Sequence, residues 1–540
     1  MRSRLLNLSL NLNLRLNLSP NLSPNLSPKL ALASALSLLF IQTAQTAAAS
    51  DELSVLAQEL RQGKTSAQEV LASYQAKIQS GNPAIQAVMT INPQAQAEAI
   101  AVDQRVARRG SLAGLPILLK DNIDASGMVT TAGSLALADN LAQQDAPLVA
   151  RLRAAGAIIV GKANLSEWAN LRSSQSSSGW SSAGGQTRNP YAPERSPCGS
   201  SSGSGAAVAA RLIPAAIGTE TDGSIVCPAS VNGLVGLKPT VGLVSRTGIV
   251  PLSHSQDTAG PMTLTVRDAA MLLNAMAGSD AHDPATRQAD RRRSKDYTAG
   301  LKKTALQGVR LGIVRKMVDG YDAETRALFE RSLAILIANG ATIVDQIDLP
   351  YLEELDKDEL TVLLYEFKAD LNTYLASTPA AVKTRTMADV IAFNKQHADT
   401  VMPYFGQELM EQAQATPGLQ DAAYRQAAAR IKSRAGRQGI DVVLKKYRLT
   451  ALIAPTTGTA WSIDYKAGDV VAGSASTPAA VAGYPHLTVP MGLVRGLPVG
   501  LSLFAGAWSE AKLLNMGYAF EQARPALPAP ALLQPQSMAR

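Results

Sequence analysis

From residue 51 to about residue 525, short apolar runs alternate with longer amphipathic stretches, and no clean linker interrupts them. Residues 51–60 read as a helix with an acidic start. Residues 114–120 read as a buried strand that ends on Lys120. A helix over 147–155 stops at Gly156, and 157–160 follows as a strand. The helix over 206–212 continues one begun at a Gly/Ser turn. Further on come a strand at 309–314, an amphipathic helix at 323–339 and a strand at 341–344. A long helix at 424–447, strands at 450–454, 487–489 and 499–503 and a helix at 509–522 close the chain. Strands that keep alternating with helices predict an α/β fold with a mixed β-sheet core covered by helices on both faces. One large domain is expected over 50–525. Its mostly helical stretch, 350–420, is expected to shape a substrate pocket, and the Pro/Ala/Gln-rich end, 526–540, is expected to be a flexible tail.

Residues 1–49 are built differently. Three Asn-Leu-Ser-Pro repeats run from Asn17 to Pro28, and repeats of that composition build no packed core. Lys29 precedes an apolar run to Ile41 and then the small residues Thr43–Ala49. A basic flank, a short apolar stretch and an Ala-x-Ala site predict a secretory signal cleaved near Ala49, hence a periplasmic or secreted protein. The apolar stretch is too short to predict a stable membrane span after processing. Residues 1–49 hold Arg2, Arg4, Arg15 and Lys29 and no acidic residue, so 47 basic and 43 acidic residues remain beyond them. A net charge near +4 gives no reason to expect nucleic acid as a partner. The arginines 291–293 read as a solvated surface turn.

The four histidines (His254, His282, His397, His486) are scattered without metal-ligand spacing, so neither a metal nor an organic cofactor is expected. Only two cysteines occur, Cys198 and Cys227. An oxidising compartment would permit a disulfide between them, but two small packed side chains are the favoured reading.

Those cysteines lie in and beside two serine strings. The first runs Pro197-Cys198-Gly199-Ser200-Ser201-Ser202-Gly203-Ser204-Gly205; the second runs Gly218-Thr219-Glu220-Thr221-Asp222-Gly223-Ser224-Ile225. Amide hydrolysis by a serine needs a base for the hydroxyl proton, donors for the oxyanion and a proton for the leaving nitrogen. A turn such as Thr221–Ser224 can aim several backbone N–H groups at one point, and Gly223 permits an unusual φ. A lysine serves as base when burial lowers its pKa. Plainer readings compete. Lys120 alone reads as a strand-end surface lysine, and the serine-rich run 173–182 as a flexible linker. Gly199–Gly205 lacks the Gly-Lys-Ser/Thr of a phosphate loop. Gly199–Gly203 also fits Gly-x-Ser-x-Gly, which would make Ser201 the nucleophile of an α/β-hydrolase esterase with His486 as its histidine.

Over roughly residues 51–524 the ordered motifs resemble the amidase signature family. The Gly/Ser string Cys198–Gly205, the string Gly218–Ile225 and Pro228-Ala229 through Gly236-Leu237-Lys238-Pro239-Thr240 follow its pattern. So do Gly114–Asn122, Thr130–Ser134, Ala454-Pro455-Thr456 and Gly483–Gly500. The resemblance implies Ser224 as acyl-forming nucleophile, Ser200 as bridging serine after a cis Gly199–Ser200 peptide, and Lys120 as base. It implies an oxyanion hole from the backbone N–H groups of Thr221, Asp222, Gly223 and Ser224. Cys198 and Ser202 replace family glycines, Glu220 an Asp, Asp222 a Gly and Val226 a common Arg. In that variant the chain is similar to the bacterial peptide amidases, which hydrolyse C-terminal peptide amides, and no small acidic substrate held by an arginine at 226 is expected. The expected partner is a small-molecule or peptide amide. The rival expectations are the amidase component of a tRNA-dependent amidotransferase and an inactive binding protein on this fold.

Overall fold

The computed structural model describes residues 53–104 and 110–533. The expected signal segment lies outside the described residues. Among the described helices none is long and apolar enough to cross a membrane.

The described strands pair mainly into one eleven-stranded mixed sheet. In chain order its strands are β1 (Val88–Ile91), β2 (Pro116–Lys120), β3 (Ile158–Ala163), β4 (Ala215–Glu220), β5 (Val235–Lys238) and β6 (Thr258–Thr263), then β7 (Arg310–Ile313), β8 (Thr342–Val344), β9 (Ala451–Pro455), β10 (His486–Val494) and β11 (Leu497–Phe504). Their spatial order is β1-β3-β2-β4-β6-β5-β10-β11-β9-β7-β8. Strand β2 lies parallel to both β3 and β4, whereas β4, β6, β5, β10, β11 and β9 pair antiparallel in turn. Helices flank the sheet, as the alternating pattern predicts.

Local chemistry sets many element ends. Ser66 and Glu69 form a reciprocal capping box at the start of helix Ala67–Ile85, and the Asp322 side chain caps Ala323–Ala338. Gly156 ends the helix before β3 at φ +91°, where a Cβ would lie 2.7 Å from the Ala113 Cα. The expected helix over 424–447 is one rod with a fault: Ala422–Ala435 passes through a π turn at Gly436–Ile440 into Asp441–Tyr447.

Strand β2 is buried along its whole length because a neighbour pairs on each side, which is why it reads as an unbroken apolar run. Helix α1 (Ser202–Ala209) follows the first serine string and is also wholly buried. Its small residues have a steric cause: a Cβ on Gly203 would sit 2.3 Å from the Ala87 carbonyl oxygen and 2.6 Å from the Asn164 nitrogen. Helix α2 (Val226–Val231) follows the second string.

The 350–420 region has its own apolar core. Helix α3 (Leu355–Ser377) and the helices Met387–Gln396 and Glu408–Ala415 bury Phe367, Leu371, Val390 and Met410 together with Leu137, Trp168 and Leu252. The helical region therefore packs over the loops near the serine strings.

One expectation needs correction. The serine-rich run 173–182 is not a linker: Ser173, Ser177, Ser178 and Ser181 are buried, and the Ser178 N–H donates to the Asp469 carboxylate at 3.1 Å. Serine composition resembled a linker because serine hydroxyls can satisfy buried backbone as readily as they meet water. At the other end, the Tyr191 hydroxyl donates to the Pro528 carbonyl at 3.2 Å, and residues 534–540 of the expected tail lie outside the described residues.

Candidate active site

Strand β2 carries Lys120 to its end, and β4 carries Thr219 and Glu220 beside it. Lys120 is fully buried, not a surface lysine. Its Nζ donates to Ser200 Oγ at 2.8 Å, to Thr219 Oγ1 at 2.9 Å and to the Thr219 carbonyl at 3.2 Å. Burial disfavours the ammonium and brings its pKa down to about 7, although the carboxylates of Asp257 and Glu220 pull it back up. A lysine so placed can exist as a free amine at neutral pH.

Ser200 stands just ahead of α1, after a cis Gly199–Ser200 peptide. A Cβ on Gly199 would lie 2.2 Å from Ser166 Oγ, so the close approach here needs glycine. The Ser201 N–H donates to the Ser224 carbonyl at 3.2 Å, which ties the first serine string to the second.

The second string turns sharply between β4 and α2. Glu220 Oε2 accepts from the N–H groups of Ile225 at 2.7 Å and Val226 at 3.0 Å, and so caps α2 from the strand end. Burial raises its pKa, against the pull of Lys238 and these two N–H groups. Gly223 adopts φ +75°, and a Cβ there would meet Ser476 Oγ at 3.1 Å. With Ile225 and Val226 taken by Glu220, the backbone N–H groups of Thr221, Asp222, Gly223 and Ser224 donate to no acceptor among the described residues. The Ser224 hydroxyl likewise bonds to no described residue, and the side chain keeps 8% of its surface open. A turn of unspent N–H groups around an unspent hydroxyl can receive a carbonyl that becomes an oxyanion.

Neighbours that the sequence reading did not single out hold this turn. Thr221 Oγ1 donates to Asp257 Oδ1 at 2.6 Å, and Asp257 Oδ2 accepts the N–H groups of Leu252 and Ser253. Thr477 Oγ1 donates to Asp222 Oδ2 at 2.7 Å. On the lysine side, Lys162 forms a buried ion pair with Asp121 at 2.9 Å beneath the Asp121–Thr131 contacts. The cue for Asp257 was its place just before a strand, but nothing local says which turn it will reach. Beside the turn opens a cavity of about 420 Å³, bordered by Asn122, Thr219, Thr221, Arg246, His254 and Asp257. Lys120, Ser200 and Ser224 are not part of that wall.

The cysteines are joined. Cys198 and Cys227 form a disulfide with their Cα atoms 6.1 Å apart, so the reading as two packed thiols is corrected. The bond links the residue two before Ser200 to the first turn of α2.

Ser201 and His486, the esterase pair, are not brought together. Ser201 Oγ donates to the Thr219 carbonyl at 3.0 Å and accepts its N–H at 3.2 Å. His486 is buried 2.6 Å from Ser502 Oγ, and burial with the nearby Lys238 lowers its pKa to about 3. Outside the serine strings, His254, Glu366 and Asp370 bring three ligand atoms within 4.8 Å of one another. Glu366 and Asp370 there already accept hydrogen bonds from the loop 253–255.

A buried lysine against a serine and a turn with free N–H groups define an amide-hydrolysing enzyme of the amidase class. The chain belongs to the amidase family, whose profile matches residues 69–514. It is similar to the native peptide amidase of Stenotrophomonas maltophilia, with 48% identity and a TM-score of 0.84 over 89% of this chain and 99% of that one. It is 37% identical over 473 residues to a probable amidase of Arabidopsis thaliana, covering 85% of this chain and 87% of that protein. It is also 34% identical over 500 residues to a putative amidase of Schizosaccharomyces pombe, covering 86% of this chain and 83% of that protein.

Proposed function

We propose that the chain hydrolyses C-terminal peptide amides or related carboxamides through an acyl-enzyme on Ser224. Neutral Lys120 accepts a proton from Ser200, which takes the Ser224 proton as Ser224 Oγ attacks the amide carbon. The oxyanion is received by the backbone N–H groups of Thr221, Asp222, Gly223 and Ser224. The proton returns through Ser200 to the leaving nitrogen, and ammonia or an amine departs. Water, deprotonated by the same pair, then releases the acid and restores Ser224. No cofactor takes part.

The observation that carries this reading is the 2.8 Å contact of a fully buried Lys120 with Ser200, next to a turn whose N–H groups are unspent. Likeness to a peptide amidase at 48% identity over nearly the whole of both chains supports the substrate class. The disulfide supports work in an oxidising compartment, periplasmic or extracellular. That same compartment argues against a role in a tRNA-dependent amidotransferase.

The test is ammonia release from a panel of a C-terminal peptide amide, an aryl amide, a short aliphatic amide and glutamine. Turnover of the peptide amide well above the others is expected. Glutamine turnover alone, or only with an added partner protein, overturns the reading.

A further inference from the structure

Five consecutive exposed residues, 470–474, lie on a loop that is tied to both serine strings. At one end the Asp469 carboxylate accepts the Ser178 N–H at 3.1 Å, and Ser178 Oγ lies 3.0 Å from where a Cβ on Gly199 would be. Gly199 immediately precedes Ser200. At the other end Ser476 Oγ lies 3.1 Å from where a Cβ on Gly223 would be, and Thr477 Oγ1 donates to Asp222 Oδ2 at 2.7 Å. Gly223 immediately precedes Ser224. The segment 469–477 is therefore a strap whose ends reach, through Ser178 and directly, the glycine before each serine.

The backbone of the strap is fixed. The Ala472 carbonyl accepts the Gly458 N–H at 2.9 Å, the Gly473 carbonyl accepts Thr457 Oγ1 at 3.0 Å, and the Ala475 N–H donates to the Thr456 carbonyl at 3.1 Å. Trp461, which packs with Cys198, donates its Nε1–H to Asp469 at 2.8 Å. No side chain from 470 to 476 carries a charge. Val470 is 67% exposed, the most open large apolar side chain among the described residues, and Val471 beside it is exposed as well. On the first-string side more apolar surface is held in place: Tyr465 stacks on the exposed Tyr404 with ring centroids 3.9 Å apart, and Tyr404 meets Trp180, two residues from Ser178, edge-on. Bare valines on a fixed backbone give an apolar ligand area to bury without the cost of ordering a loop.

We propose that Val470 and Val471 are specificity-determining residues: they form an apolar rim of the active site and pack against the last side chains of a peptide amide. The occupant follows from the ends of the strap, because a chain whose terminal carbonyl lies on the Ser224 turn must leave the site past the segment that joins the two serine strings. The chemistry agrees. A C-terminal amide carries no charge, so its peptide needs no cation at the rim, and an uncharged rim with two valines favours leucine-like side chains over glycine or charged ones. This inference rests on the peptide-amide reading above and adds to it which peptides are preferred.

The test measures kcat and KM for ammonia release from three N-acetylated dipeptide amides, of leucine, of glycine and of lysine, with thermal melts to verify folding. The parent is expected to prefer the leucine peptide over the glycine peptide by about tenfold or more in kcat/KM. In the double variant Val470→Ser, Val471→Ser that preference should fall to about threefold or less, through a higher KM for the leucine peptide. Val471→Asp should in addition raise kcat/KM for the lysine peptide by about two- to fivefold, the scale of an exposed charge pair and a gain that structural damage does not produce. A leucine preference that survives the double serine variant, an equal fall for all three peptides, or no gain for lysine in Val471→Asp overturns the proposal. So does a parent that self-associates through this face, seen as a dimer on size exclusion that the double serine variant loses while its leucine preference stays. A parent that releases ammonia from none of the three peptides overturns the peptide-amide reading itself and this inference with it.

Discussion

Lys120 Nζ lies 2.8 Å from Ser200 Oγ, and neither side chain has any surface open to solvent. The pair is sealed in the sheet at the end of β2, where an ammonium is costly and a free amine is not. That placement has measurable consequences.

The first is the pH profile. Burial lowers the Lys120 pKa to about 7, so the amine is the minor form below that pH and the major form above it. kcat/KM on a peptide amide is expected to rise with one ionisation near pH 7. Lys120→Ala should abolish that limb along with about 10³-fold or more of the rate. A limb that survives the substitution would remove Lys120 as the base.

Stability should follow the same group. The lysine is protonated to pH 10.5 when unfolded but only to about 7 when folded, so between those values the unfolded chain binds more protons. Stability from this group therefore rises with pH from about 7 to 10.5, and the penalty is greatest below 7. Lys120→Met should stabilise the fold at pH 6 by roughly 3–5 kcal/mol while destroying activity, the usual conflict between a site and its scaffold. Chemical denaturation at pH 6 and pH 10 checks the sign; a Lys120→Met variant less stable at pH 6 than the parent contradicts it.

Serine and histidine substitutions separate the two nucleophile assignments. Ser224→Ala and Ser200→Ala are expected to lower kcat by about 10³-fold or more. His486→Ala should leave amide hydrolysis within about tenfold, because His486 bonds to Ser502, not to a nucleophile. Collapse of activity in His486→Ala, with native melting, would favour the esterase arrangement.

The disulfide closes a loop of 29 residues that contains both serines. Replacing both cysteines by serine should cost about 3–4 kcal/mol of stability on the chain-entropy argument. Ellman titration of the denatured, unreduced protein should find no free thiol. Two free thiols would mean that the bond does not form.

Gly223 sits at φ +75° with Ser476 Oγ 3.1 Å from where a Cβ would be. Gly223→Ala is expected to lower kcat by about 10²-fold or more, because it moves the donors of the turn more than it harms the core. Unchanged kinetics would show that the turn does not bind the oxyanion.

Lys120, Ser200 and the Thr221–Ser224 turn were singled out in the sequence by the order of motifs that resembles the amidase signature family, whereas the residues taken alone left Lys120 a surface lysine and Ser201 a rival nucleophile. An apolar strand ending on lysine, a glycine where a turn needs positive φ, and small residues where a helix meets backbone all leave a mark on neighbouring letters. The alternation of strands and helices likewise foretold a mixed sheet. What reaches across the chain was not legible. That Asp257 holds Thr221, that α3 holds the loop 254–256 through Glu359, Glu366 and Asp370, and that two cysteines 29 residues apart are bonded all depend on which surfaces the sheet brings together. The serine-rich run 173–182 misled for the same reason, since its hydroxyls are used inside the fold. The sequence by itself determined the fold class and the chemical groups at the end of β2 and after β4. Only the tertiary structure decided the environment of those groups, because burial and charge at Lys120, and hence a lysine that can act as a base near neutral pH, are made by residues distant in the chain.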